Sequence, residues 1–164
     1  MIIVTAAADT LPVTRAEALA QLRILSEDDL DTGQIGLIDD LIEEAVETVE
    51  RSTGLTLSPK DLEQRFEAWP CGRELVLGAA PVRDVTDVAY LDADGDEQSV
   101  DPAHWSWEPT STGAVIRFRS TWSSPGLDSD NPCPVRVRFA SGCNDPNATA
   151  GDPRLDLPRP ARTA

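Results

Sequence analysis

Histidine, lysine and cysteine are the scarce residues of this 164-residue chain: His104 is the single histidine, Lys60 the single lysine, and Cys71, Cys133 and Cys143 are the three cysteines. With no CxxC pair, a Cys/His zinc site lacks the closely spaced ligands it is built from. An odd number of widely spaced cysteines gives no disulfide framework and points to a reducing compartment. A nucleophile–base pair needs a base, and His104 stands in "DPAHWSW" without a serine or cysteine motif beside it. It reads as a half-buried histidine next to Trp105 and Trp107. Neither a glycine-rich phosphate loop nor HExxH occurs. No catalytic residue, metal or cofactor is expected, and the many carboxylates single out no pair for acid–base hydrolysis. Long apolar runs are missing too, so no membrane span is expected, and "MIIVTAAADT" lacks the basic leader of a signal peptide.

Positive charge is the other shortage. Fourteen basic residues face 29 acidic ones, giving a net charge of −15 and a pI near 4.2. Such a surface repels phosphate, which excludes tight nucleic-acid binding and docking on anionic membranes. Hydrophobic residues make up 40% of the chain, enough for one domain with a modest core.

What is present divides in two. In "LPVTRAEALAQLRI", Thr14 and Glu17 form a capping box and Val13 sits where a hydrophobic staple belongs, so a helix begins there. After the acidic loop "SEDDLDTGQ", the segment "QIGLIDDLIEEAVETVERSTG" places Ile35, Ile38, Leu41, Ile42, Ala45 and Val49 at helical spacing, with Gly54 as the stop. Asp39, Asp40, Glu43, Glu44, Glu47 and Glu50 fill much of the remaining surface of that helix. Residues 1–50 carry twelve acids against two arginines. Those acids are either a solvated face or a functional wall.

From Leu62 the texture becomes that of strands. "LEQRFEAW", "RELVL", "VTDVAYLD", "AVIRFR" and "VRVRFA" are short runs separated by Pro, Gly, Asp and Ser, and they predict an antiparallel sheet. "YLDADGDEQSVD" holds five acids and invites a calcium reading. A calcium loop of the helix-loop-helix kind needs glycine at its sixth position and glutamate at its twelfth. Counted from Asp92, those positions hold Glu97 and Ala103, and the flanks read as strands. Asp94-Gly95 is therefore the tip of a hairpin. Arg117, Arg119, Arg136 and Arg138 alternate with apolar residues, and would form one arginine patch if their two strands paired. That patch is either a solvated face or a seat for an acidic partner, such as the acidic helix of a neighbouring copy. Residues 144–164, rich in Pro, Ala and Asp, read as an extended C-terminal arm after a domain spanning 1–143. The fold expected is α+β: two N-terminal helices packed on an antiparallel β-sheet, followed by that arm.

The order of these segments resembles the head-tail connector (adaptor) family of tailed bacteriophages and related gene-transfer particles. In that family a "YVERYTG"-like helix end precedes an "LP-x-x-PV-x-x-V-x-x-V-x-Y-x-D-x-DG" sheet segment. The matching positions are Val49-Glu50-Arg51-Ser52-Thr53-Gly54, then Pro81-Val82, Val85, Val88, Tyr90, Asp92 and Asp94-Gly95. The similarity runs over residues 11 to 143. It implies a non-enzymatic virion protein of the neck, made in the host bacterial cytoplasm. Such a protein assembles as a ring, commonly a dodecamer, with the portal protein above and a tail-side completion or terminator protein below. DNA passes through without specific binding. The acidic helix then becomes a candidate channel or subunit-interface wall, the four arginines a candidate subunit interface, and Leu155, Leu157 and Arg159 a candidate portal-docking arm. One departure stands out: family members continue after the turn at Ser141-Gly142 with further apolar helix, whereas this chain runs into a Pro-rich tail. A competing reading is a β-rich ligand- or carbohydrate-binding module that stacks ligands on exposed Trp105, Trp107 and Trp122.

Overall fold

The computed structural model describes residues 1–7, 11–24 and 30–143. The helical part forms as the caps dictate. Helix α1, Arg15–Gln21, starts at Thr14, whose hydroxyl accepts from the Glu17 amide while the Glu17 carboxylate accepts from the Thr14 amide. Helix α2, Thr32–Thr53, repeats the device with Asp31 and Gln34, and ends at Gly54 in the left-handed region at φ 70°. The two helices are unequal, with 7 residues in α1 and 22 in α2, so α1 covers only part of its partner. Leu19, Ile38 and Ile42 form a small core between them, backed by Leu11, Val13, Ile24, Leu30 and Val46. The expected apolar stripe of α2 is thus only partly used. Ile38 and Ile42 are buried, but Leu41, Ala45 and Val49 are exposed.

Eight strands form, several of them along the sequence's alternation. They are β1 Ile2–Ala7, β2 Lys60–Phe66, β3 Glu74–Leu77, β4 Val82–Leu91, β5 Glu97–Ser99, β6 Trp105–Thr110, β7 Gly113–Phe118 and β8 Val135–Ser141. They make two antiparallel sheets, a five-stranded one in the order β1-β2-β8-β4-β5 and a three-stranded one in the order β3-β7-β6. One hydrophobic core joins both sheets. Val135, Val137 and Phe139 of β8, with Leu62, Val85 and Val88, meet Leu75, Leu77, Ala114, Ile116 and Phe118 of the smaller sheet. The α+β class expected from sequence is the one observed, with the strands shared between two sheets. Strands β1 and β6 were not foreseen. The arm at 144–164 lies outside the described residues.

The hairpin of helices meets the sheets through the C-terminal half of α2. Glu50 turns inward, and its carboxylate accepts from the amides of Leu57 (2.7 Å) and Ser58 (3.2 Å) and from the ammonium of Lys60. Leu57 and Cys143 are buried against Val46 and Leu55. The Cys143 amide donates to the Leu57 carbonyl, and the Gly142 amide to the Pro81 carbonyl. At Gly142, with φ 114°, a Cβ would lie 2.3 Å from the Ser58 carbonyl oxygen, so only glycine lets the chain leave β8 beside this joint. Gly142→Ala is expected to lower stability by at least about 2 kcal/mol, from the left-handed backbone and the clash together. A urea unfolding midpoint unchanged from the parent protein would contradict this.

Candidate functional site

The acidic helix divides once its partners are known. Asp39 is held by Arg15 through two hydrogen bonds of 2.8 and 2.6 Å, and the Arg15 hydrogen bond lowers its carboxyl below the ordinary aspartate range. Glu50 is spent on the joint described above. Asp40, Glu43, Glu44 and Glu47 remain exposed, with Glu47 paired only to Arg51 one turn on. Of the six acids singled out in the sequence, these four present charge outward.

The arginines do not form one patch. β7 and β8 lie in different sheets, so Arg117 and Arg119 are separated from Arg136 and Arg138. On the outer face of the five-stranded sheet, Arg138 bridges three acids: Glu63 of β2 (3.1 Å), Asp87 of β4 (3.3 Å) and Glu97 of β5 (2.7 Å). Arg136 pairs with Glu97 at 2.6 Å, and Arg65 with Glu63 at 2.7 Å. Arg65 and Arg136 face each other across the β2–β8 ladder, and these shared acids offset the repulsion. Arg138 is raised above its ordinary value first by the Glu97 hydrogen bond, against some burial, with Glu63 assisting. Glu63, 5% exposed, is the centre of the network. Burial pushes its carboxyl up, but the combined hydrogen bonds and charges of Arg65 and Arg138 outweigh that and hold it below the ordinary glutamate range. Arg117 is matched separately by Glu74 and Glu108, which raise it. Arg119 is exposed and makes no ion pair among the described residues.

The acidic turn satisfies itself. One oxygen of Asp92 accepts from the amides of Asp94 (3.1 Å) and Asp96 (3.0 Å), and the other from the Gln98 side-chain amide (2.9 Å). Those bonds, the one from Gln98 first, lower the Asp92 carboxyl, and Gly95 supplies the positive φ of the tip. No cluster able to hold a metal ion occurs among the described residues. The tryptophans are packed rather than displayed. Trp105 is buried with its indole N–H on the Val100 carbonyl, and Trp122 stacks on Phe118 at 4.3 Å. Trp69 sits edge-on to Tyr90, Phe118 and Trp122. A platform of exposed tryptophans for stacking a ligand is therefore not formed. His104 is half-buried on the rim of a depression of about 350 Å³ lined also by Tyr90, Asp101 and Trp122. No hydrogen bond ties its ring to a hydroxyl there.

The described residues present an acidic helical face, a neutralised sheet face and a few exposed apolar side chains. Comparison with solved structures places that architecture. A chain from the neck of an empty gene transfer agent (GTA) particle, computed with C6 symmetry, superposes at TM-score 0.68 with 22% identity, covering 87% of this chain and 71% of that one. A chain of the native GTA virion gives 0.67 and 24% over the same shares. One from the native GTA neck, computed with C12 symmetry, gives 0.62 and 23%, covering 87% of this chain and 69% of that one. The fold is that of these neck-particle chains. No family model matches the sequence, and no curated protein does. Among the described residues no helix is long and apolar enough to cross a membrane.

Glu63 and Glu50 were not distinguishable in the sequence as special carboxylates, because only the folded chain brings Arg138 to Glu63 and turns the Leu57 and Ser58 amides onto Glu50. The sole lysine was a usable signal, since Lys60 pairs with Glu50. A carboxyl lowered in the folded state contributes stability that is complete above the ordinary glutamate range and is lost as pH falls through the lowered value. Glu63→Gln is expected to cost about 3 kcal/mol at neutral pH, by leaving Arg65 and Arg138 short of their shared acid. That deficit should narrow in acid, below the ordinary glutamate range. Chemical denaturation of both proteins at the two pH values checks this, and a constant deficit would refute the charge argument.

Proposed function

We propose that this chain is a structural, non-enzymatic neck protein of a tailed phage or gene-transfer particle. It joins the portal of a DNA-filled head to the tail as a closed ring. The observation that carries this reading is the likeness to neck-particle chains over 87% of the sequence. The ordered motifs from Val49 to Gly54 and from Pro81 to Gly95 point the same way. A ring of twelve is compatible with both the six-fold and the twelve-fold symmetry applied to those necks.

In this reading the portal lies above, further copies lie on each side, and a tail-side completion protein lies below. Asp40, Glu43 and Glu47 face the channel and keep the phosphate backbone from adhering, so the genome slides by without being bound. The 144–164 segment, with Leu155, Leu157 and Arg159, docks on the portal. Particles purified from cells that encode the chain should contain it, and deleting it should leave filled heads without tails. Particles lacking the polypeptide, or normal tailed particles after deletion, would overturn the proposal.

The channel role has its own test. The triple variant Asp40→Asn, Glu43→Gln, Glu47→Gln should assemble normally, because these side chains are exposed. DNA delivery should slow by about tenfold as the repulsive lining weakens. Unchanged delivery would place these acids elsewhere than the channel.

A further inference from the structure

The large apolar side chains that stand exposed fall into two groups. Leu22, Leu37, Leu41 and Val49 lie on the helical hairpin, and Met1, Ile2, Val4 and Val76 lie on β1 and β3 or beside them. In the first group, Leu37, Leu41 and Ala45 follow one another at one-turn steps on the part of α2 that α1 leaves uncovered, with Glu44 alongside. The second group is continuous across the two sheets. Ile2 pairs with Gln64, whose side chain holds the Val76 carbonyl (3.1 Å) and the Gly78 amide (3.0 Å). Met1 and Val76 line a common cleft of about 510 Å³ with Arg65, Phe66 and Glu74.

The two groups differ in their charged borders. The helical one is acidic. Beside the β-sheet one, Arg73 donates to the Arg119 carbonyl at 2.9 Å, and Arg117 stands opposite Glu74 on the adjacent strand. Arg73 and Arg119 have no ion pair among the described residues, on a chain of net charge −15. Glu74 and Glu108 both meet Arg117 and the exposed Glu67 lines the cleft, so Arg73 and Arg119 are the positive groups of this border that have no acid partner among the described residues.

We infer that the partner of each surface is the other surface of a second copy. The Leu37–Leu41–Ala45 face of α2 seats on the Ile2–Val76 surface of the next copy, with Glu44 meeting Arg73 and Arg119. This rests on the ring proposed above and names the contact that closes it. Two copies joined helix to helix would set acid against acid, so the contact is heterologous, and a heterologous contact propagates around a ring.

Cysteine pairing tests it in the full chain within assembled particles, in a Cys71→Ser, Cys133→Ser background that removes the exposed native thiol and the half-buried one lining the same cleft. Leu41→Cys with Val76→Cys in one chain should give, under mild oxidation, a ladder of covalent oligomers, and neither substitution alone should. In parallel, Leu41→Asp, at an exposed position, should leave the melting temperature unchanged and reduce ring formation at least tenfold. Dimers from Leu41→Cys alone would overturn the inference in favour of a symmetric contact. Rings seen by electron microscopy that give no ladder and tolerate Leu41→Asp would overturn it while the ring stands. Particles without a ring of this chain would overturn both.

Discussion

The fold depends on strand β8, which must serve two environments at once. Its odd positions, Val135, Val137 and Phe139, are almost wholly buried and knit the two sheets into one core. Its even positions, Arg136 and Arg138, point the other way and are, among the described residues, the bases that pair with Glu97, with Arg138 also reaching Glu63 and Asp87. A period of two residues makes this division automatic, and a register slip of one residue would bury both guanidiniums. Pairing with β2 on one side and β4 on the other fixes the register over the full length of the strand.

That arrangement also decides where charge is available for other purposes. A chain with 29 acids and 14 bases cannot neutralise itself, so the position of the unmatched acids is informative. The bases are spent largely on the sheets: Arg65, Arg136 and Arg138 on one face, Arg117 on another. The single lysine is spent on the joint to α2. Asp40, Glu43 and Glu44 remain unmatched along α2, a helix about 33 Å long, while other unpaired acids stand in the turns and strand edges. A rigid β unit thus presents a long acidic rod through a joint that Glu50 and the Gly142 turn hold in place.

Much of this was legible in the residues. The capping box at Thr14, the stop at Gly54, the hairpin tip at Gly95 and the alternation of β7 and β8 are all local signals, and each is present in the structure. The misses are non-local or masked. β1 has no alternation to announce it and exists because β2 offers an edge, while Pro109 obscured β6. The arginine pattern was read correctly strand by strand, but the partner choice was not. β7 pairs with β3 and β6 rather than β8, and nothing in its alternation encodes that. The tryptophans misled as a binding surface because an aromatic residue near a turn looks the same whether it faces solvent or, like Trp105, plugs the end of a core. For the acids of α2, helical spacing identified the face, and only the tertiary partners of Asp39 and Glu50 showed which members were already committed.

The neck role proposed above requires the chain to hold its neighbours firmly and its passenger not at all. The division found here, neutralised sheets, an apolar strip along α2 and bare acids beside it, suits that pair of demands. The most direct measurement is a reconstruction of the neck from particles that carry this chain. It should reveal a ring of identical copies under the portal, with α2 of each subunit lining or flanking the DNA passage. Density for the chain at the tail tip, on the capsid surface or nowhere in the particle would contradict it.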